Sequence, residues 1–224
     1  MNTWIITIDG PAGVGKSTVA RMLAHRLKAV FLDTGATYRA VTLAAMQVGV
    51  DLTNSLAVLE VMDDTQFAFL HEGDTLKVFI DGVDATDAIR SPQVTENVKF
   101  IASRPELRTK LVELQRAFAG RFKRVVTEGR DQGTVVFPKA RYKFFLTADP
   151  NERARRRHDE LKAAGKEVDF DTLARRIAER DASDENRSVG PLKPADDAVI
   201  IDTTTLDAEG VVRAMLTVIE GQNG

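Results

Sequence analysis

Residues Gly10-Pro-Ala-Gly-Val-Gly-Lys16-Ser17-Thr18 constrain this chain more than any other stretch, because an apolar run, Trp4–Ile8, leads into them and an amphipathic run follows. The string fits G-x-x-x-x-G-K-[ST]. Gly13 and Gly15 open backbone conformations closed to other residues, so successive N–H groups can point at one polyphosphate. A helix starting near Lys16 adds the positive end of its dipole. Lys16 can reach the β- and γ-phosphates, and the Ser17 hydroxyl can ligate Mg²⁺. Gly10, Pro11, Ala12, Gly13, Val14, Gly15, Lys16, Ser17 and Thr18 are therefore the candidate phosphate-binding residues, with Ser17 the candidate metal ligand. A strand before and a helix after separate this motif from a Gly-rich turn that merely carries Lys-Ser.

The same rhythm runs through the rest of the chain. Five short apolar runs, Trp4–Ile8, Ala29–Leu32, Arg124–Thr127, Tyr142–Thr147 and Ala198–Asp202, each end at Asp, Gly or Thr. That is how strands buried on both faces of a parallel sheet read. Helical patterns lie between them: Val19, Met22, Leu23 and Leu27 share one face, and Leu107, Leu111, Leu114 and Phe118 repeat the spacing. The expected fold is a doubly wound α/β domain with a five-stranded parallel sheet, which binds ligands at the strands' carboxyl ends.

Two stretches depart from this rhythm. Leu76, Val78 and Ile80 alternate with Thr75, Lys77 and Phe79, after a Glu72-Gly73-Asp74 turn that follows Phe67 and Phe69. This predicts an antiparallel hairpin in an inserted subdomain of about 62–92, with Phe67 and Phe69 as its small core rather than a base-stacking platform. Residues 151–187 hold ten basic and ten acidic residues and little apolar periodicity at their ends, which predicts exposed, mobile, charged structure rather than core.

Composition narrows the function. Lys+Arg 31 against Asp+Glu 33 gives a net charge of −2, so no global field draws the chain to nucleic acid or an anionic membrane. The acidic residues that follow Arg153–Arg157 make that basic run a solvated face or lid, not a nucleic-acid patch. With no cysteine, disulfides, Cys-ligated zinc, iron–sulfur clusters and a thiol nucleophile are excluded, and a reducing compartment fits. His25, His71 and His158 lack ligand spacing. No apolar run has the length of a membrane span and the first ten residues lack a signal-peptide pattern, so a cytoplasmic protein is expected. No coiled coil or exposed apolar stripe demands a dimer, and a monomer is expected.

Polar clusters sit where a second, anionic substrate would be held. Asp33-Thr34-Gly35-Ala36-Thr37-Tyr38-Arg39 closes the second strand and Glu128-Gly129-Arg130-Asp131 the third, while Arg153, Arg155, Arg156, Arg157, Arg180 and Arg187 populate the charged segment. Guanidinium groups bind phosphate bidentately, so this set suits two phosphate chains. Glu128 and Asp131 could equally cap a strand end and pair with Arg130, and Tyr38 could orient a substrate or merely pack. No N-K-x-D guanine-binding string is present.

GPAGVGKST, DTGATYR, EGRDQGTVVFP (128–138) and RDASDENRSVGPL (180–192) resemble, in order and spacing, the signature blocks of bacterial-type cytidylate kinases, a family of P-loop nucleoside monophosphate kinases. The resemblance runs from about residue 4 to 205 and includes the hairpin insert. It implies a P-loop core over 1–33, 104–150 and 188–224, an acceptor-binding domain over 34–103 and a helical lid over 151–187. It also implies transfer of the γ-phosphoryl group of ATP to CMP or dCMP, with Mg²⁺. The acceptor oxygen belongs to a phosphate already ionised near pH 7, so no general base is required. Gly10 to Thr18 would hold the ATP phosphates, with Lys16 catalytic. Thr34, Tyr38 and Arg39 would face the acceptor, Arg39 gripping its phosphate beside Arg130. Arg108 and Asp131 would contact the cytosine or its phosphate neighbourhood. Asp184 and Arg180 would hold the ribose hydroxyls, Arg187 would bridge both substrates, and Arg153 and Arg157 would be lid arginines closing over ATP. One position departs from the family pattern: Lys99 stands where a small hydroxyl residue helps to read the cytosine edge. Lysine only donates, so either base recognition leans on Arg108 and Asp131 or the register there is displaced by a turn. Two rivals stay open, a kinase of another monophosphate such as UMP and a non-catalytic ATP-binding regulatory protein.

Overall fold

A computed structural model describes residues 4–72 and 75–221. Along the chain the elements run β1 (Trp4–Asp9), α1 (Lys16–Leu27), β2 (Val30–Asp33), α2 (Thr34–Val48) and α3 (Ser55–Asp64). Three short strands follow, β3 (Phe67–Glu72), β4 (Thr75–Ile80) and β5 (Val83–Asp84), then a 3-10 turn at Ala88–Arg90 and helices α4 (Pro92–Ala102) and α5 (Pro105–Ala119). The remainder is β6 (Arg124–Gly129), a π-helical turn at Gln132–Val136, β7 (Tyr142–Thr147), α6 (Pro150–Ala163), α7 (Phe170–Glu185), β8 (Val199–Asp202) and α8 (Ala208–Gly221). The chain divides into two units, one of Val30–Val125 and one that joins Trp4–Ala29 to the residues from Val126 onward.

The five apolar runs are the strands of one sheet, in the order β2-β6-β1-β7-β8. β7 is parallel to both β1 and β8, with Ile8 opposite Phe144 and Phe144 opposite Val199. Ile6, Ile8, Val125, Val126, Phe144 and Leu146 are buried, the near-continuous burial that helices on both faces impose. The chain starts at the central strand, winds to one edge and then to the other, so β1 borders the switch point where such sheets bind ligands. Helices begin where short polar side chains satisfy their first amides: Asp33, Asn54, Ser91, Asp149 and Asp169 each accept a backbone N–H from the turn that follows. Pro92, Pro105 and Pro150 open their helices at positions that need no N–H bond.

In the unit of Val30–Val125, Leu107, Leu111 and Phe118 form the buried stripe of α5, with Leu114 at its edge. The antiparallel sheet β3-β4-β5 pairs Phe67 with Ile80 and Phe69 with Val78. Leu76, Val78 and Ile80 are buried, as the alternation requires, and the Phe69 ring meets the Phe118 ring edge-on at 6.4 Å. That contact makes Phe69 part of a small core. Gly73 and Asp74 of the expected turn lie outside the described residues.

The charged stretch is largely exposed, as expected, but it also carries a small core of its own. α6 and α7 pair through their own apolar seam of Ala154, Leu173 and Ile177, flanked by Leu161, Val168, Phe170 and Ala174. α6 supplies two of these apolar positions and α7 four, too few to stand out against ten acids and ten bases. On α7 the stripe Phe170-Leu173-Ile177 continues one turn on at Asp181, a buried carboxylate that conceals the periodicity. Among the described residues no helix is long and apolar enough to cross a membrane. Ile177→Ala removes a central part of the seam and should cost about 2–4 kcal/mol. Amide exchange in α6 and α7 should then accelerate roughly 100-fold, with amides of β1 unchanged; unchanged exchange in α6 and α7 would show that the seam does not hold the pair.

Candidate active site

β1 delivers the chain into the glycine-rich loop at a point with no room for a side chain. Gly10 has φ 146°, and a Cβ there would stand 2.3 Å from the carbonyl oxygen of Leu146 on the adjacent strand. Gly15, in open space, is demanded by conformation instead: at φ 87° it is the left-handed residue that turns the loop into α1. Thr18 is exposed on the first turn of α1, and the Ser17 hydroxyl donates to Glu128 Oε1 at 2.7 Å.

Lys16 is the electrostatic centre of this unit. Its ammonium is buried and donates to the Pro11 carbonyl at 2.6 Å. Burial, then the nearby Arg130, push its pKa down to about 7, Arg180 adding to the fall while Glu128 and Asp9 oppose it. Asp9, the last residue of β1, accepts the amides of Gln132 at 2.8 Å and Gly133 at 2.7 Å, the start of the π-helical turn. Burial nevertheless lifts Asp9 to about 6.

The third-strand and charged-segment residues gather in the same unit. Arg130 Nε donates to Asp184 Oδ2 at 2.7 Å, and Arg187 Nη1 lies 3.5 Å from Asp184 Oδ1. Arg187 also donates to the Gly190 carbonyl. Arg180 is exposed, Asp131 is buried at the foot of the π-helical turn. The two arginines expected to act as a lid pair are placed differently. Arg153 is buried against Asp181 and the Ala12 carbonyl, whereas Arg157 is exposed and paired with Glu160 at 2.8 Å.

In the other unit, Asp33 organises the end of β2. It caps α2 through Ala36 N at 3.0 Å and pairs with Arg39 at 3.2 Å and with Arg90 at 3.1 Å. Arg108 is buried on α5, donates to the Ala102 carbonyl at 3.3 Å, and carries its guanidinium 5.5 Å from the Tyr38 ring centre. Tyr38 therefore supports an arginine by a cation–π contact. The Thr34 carbonyl accepts from Thr37 Oγ1 at 2.7 Å, and Gln115 Nε2 donates to the same hydroxyl at 2.9 Å. Lys99 is exposed on α4 with its ammonium 5.2 Å over the neighbouring Phe100 ring.

Motif matching missed Asp9, Arg90 and Asp181, and left Glu128 undecided. The signal for Asp9 was an acid ending an otherwise apolar run; Arg90, in an isolated 3-10 turn, carried none. The oxygen donors fit a magnesium ion. Among the described residues no cluster of three or more His, Cys, Asp or Glu could cage a metal. Mg²⁺ uses only one or two protein oxygens and takes the rest from water and phosphate, and Ser17 with Glu128 is such a pair.

The comparisons agree over nearly the whole chain. A family model described as Cytidylate kinase matches residues 6–221. The cytidylate kinase of Desulforamulus reducens is 47% identical over 215 residues, covering 96% of each chain. That of Pelotomaculum thermopropionicum is 50% identical over 213 residues, covering 94% of this chain and 93% of its own. A solved structure of an uncharacterised protein from Eubacterium ventriosum, 13% identical, superposes with a TM-score of 0.52 over 98% of this chain and 99% of its own, which bears on the fold alone.

The depressed pKa of Lys16 has a thermodynamic consequence. A bound polyphosphate favours the ammonium form, so above pH 7 binding must take up a proton. Affinity for inorganic tripolyphosphate should fall as pH rises above ~7, by up to about tenfold per unit. Calorimetry at pH 8 in two buffers of different ionisation enthalpy should give different heats; equal heats would mean that Lys16 is already charged.

Proposed function

The chain belongs to the cytidylate kinase family, and we propose that it transfers the γ-phosphoryl group of ATP to CMP and dCMP, giving ADP with CDP or dCDP. The observation that carries this beyond membership is the buried Lys16 at the start of α1, in the field of Arg130 and Arg180. Phosphoryl transfer needs in-line positioning and neutralisation of charge on the moving group rather than covalent chemistry. Lys16 and the loop amides bind the donor phosphates, and Arg130, Arg180 and Arg187 offset charge on the transferred group. Ser17 and Glu128 would hold Mg²⁺, which when bound supplies further charge neutralisation between the phosphates. The acceptor oxygen is ionised near neutral pH, so no side chain has to remove a proton.

Arg39 and Arg90, both set by Asp33, grip the acceptor phosphate. Arg108 and Asp131 read the base, since Lys99 offers only donors. Asp184 with Arg180 takes the ribose hydroxyls. Residues 151–187 form a lid that excludes water, with Arg153 and Arg157 on its first helix, and 34–103 form the acceptor-binding domain.

The test is ADP formation from ATP and Mg²⁺ with CMP, dCMP, UMP, AMP, GMP and dTMP in turn. Selective stimulation by CMP and dCMP is expected. Stimulation chiefly by UMP would transfer the mechanism to another acceptor, and no stimulation by any monophosphate would remove the kinase assignment. Arg187→Ala should lower kcat by ~10³-fold or more, with a far smaller change in the KM for CMP; near-normal turnover would remove its bridging role.

A further inference from the structure

One peptide of the phosphate loop is held from both ends. The carbonyl of Pro11 accepts the Lys16 ammonium at 2.6 Å, and the N–H of the same peptide, on Ala12, donates to Asp181 Oδ1 at 3.2 Å. The other Asp181 oxygen accepts from Arg153 Nη1, and that nitrogen also donates to the Ala12 carbonyl at 3.1 Å. Both side chains are buried, Asp181 at 7% exposure and Arg153 at 7%. Behind the loop, a Cβ on Gly13 would meet the Arg153 backbone oxygen at 3.1 Å and its Cβ at 3.2 Å, so the loop lies directly on the first turn of α6. Arg153 Nε, also buried, has no hydrogen-bond partner among the described residues.

We propose that Asp181 is a positioning residue for the phosphate loop: with Arg153 as its partner it sets the plane of the Pro11–Ala12 peptide, and through the Pro11 carbonyl it sets the place of the Lys16 ammonium. A peptide is planar and rigid, so fixing its N–H fixes the direction of its carbonyl. The seam of α7 reaches Asp181 directly after Ile177, and Arg180, Asp184 and Arg187 flank it on the same segment. Asp181 thus ties that segment to the loop at a single backbone group. A carboxylate suits the task because one oxygen can take a neutral amide while the other neutralises a buried guanidinium, which unpaired would be costly. Apolar packing could hold α7 in place, yet it would leave the Ala12 amide without an acceptor.

The proposal rests on the kinase reading for its assay, and wild-type activity with CMP decides that reading separately. KM for ATP, KM for CMP and kcat are measured for wild type, for Asp181→Asn, and for the apolar pair Arg153→Met with Asp181→Leu. In Asp181→Asn the amide group must turn a donor toward either Ala12 or Arg153, so one bond is lost in either orientation. The double variant removes both charges and keeps the helix pair packed. Both variants should raise KM for ATP by ~10-fold or more, with KM for CMP within about 2-fold of wild type. KM for ATP within about 2-fold of wild type in either folded variant, or equal rises in both KM values, overturns the proposal. Should neither variant fold, the wild-type Ala12 amide decides: protection from hydrogen exchange is expected, and exchange at the rate of an open loop overturns it.

Discussion

A buried ammonium beside guanidinium groups is held only where carboxylates stand close enough to offset the repulsion, and most of the site can be understood from that requirement. Lys16 has Glu128 and Asp9 within its field, Arg130 has Asp184, Arg153 has Asp181, and Arg39 and Arg90 share Asp33. Arg39, Arg90, Arg130 and Arg153 are thus each paired with an acid of the protein itself. Buried charges left unpaired would each cost several kcal/mol, so a chain that collects arginines for phosphate must carry acids at matching places.

The loop follows β1, the strand from which the sheet winds outward in both directions. Its first glycine lies against the backbone of β7, so the glycine-rich loop is built on a buried strand. Asp9 extends the same logic one residue earlier. By accepting two amides of the π-helical turn it joins the strand that carries the loop to the segment that carries Arg130 and Asp131.

Parts of this were legible because they depend on local pattern. The five strands fall within a residue or two of their apolar runs, and the alternation at Leu76, Val78 and Ile80 does mark a hairpin with those side chains inward. The α6–α7 pair was less legible, since its seam is a handful of small and medium apolar residues among charges and its next position is an acid. Arg153 and Arg157, one helical turn apart and alike in sequence, lie in different environments. Burial against Asp181 distinguishes them, and no feature of the string RARRR encodes it.

By itself the sequence determined the kind of fold and the place of the glycine-rich loop between β1 and α1, because strand burial, helix periodicity and glycine spacing are short-range properties of the chain. It also determined the family, through blocks of residues whose order and spacing are one-dimensional. Tertiary structure alone decided which acid partners which base: Asp33 with Arg90 at a separation of 57 residues, Arg130 with Asp184 at 54, Arg153 with Asp181 at 28. Coulomb and hydrogen-bond energies depend on distance in space and on burial, and a chain with dozens of charges offers far more possible pairs than its order can choose among.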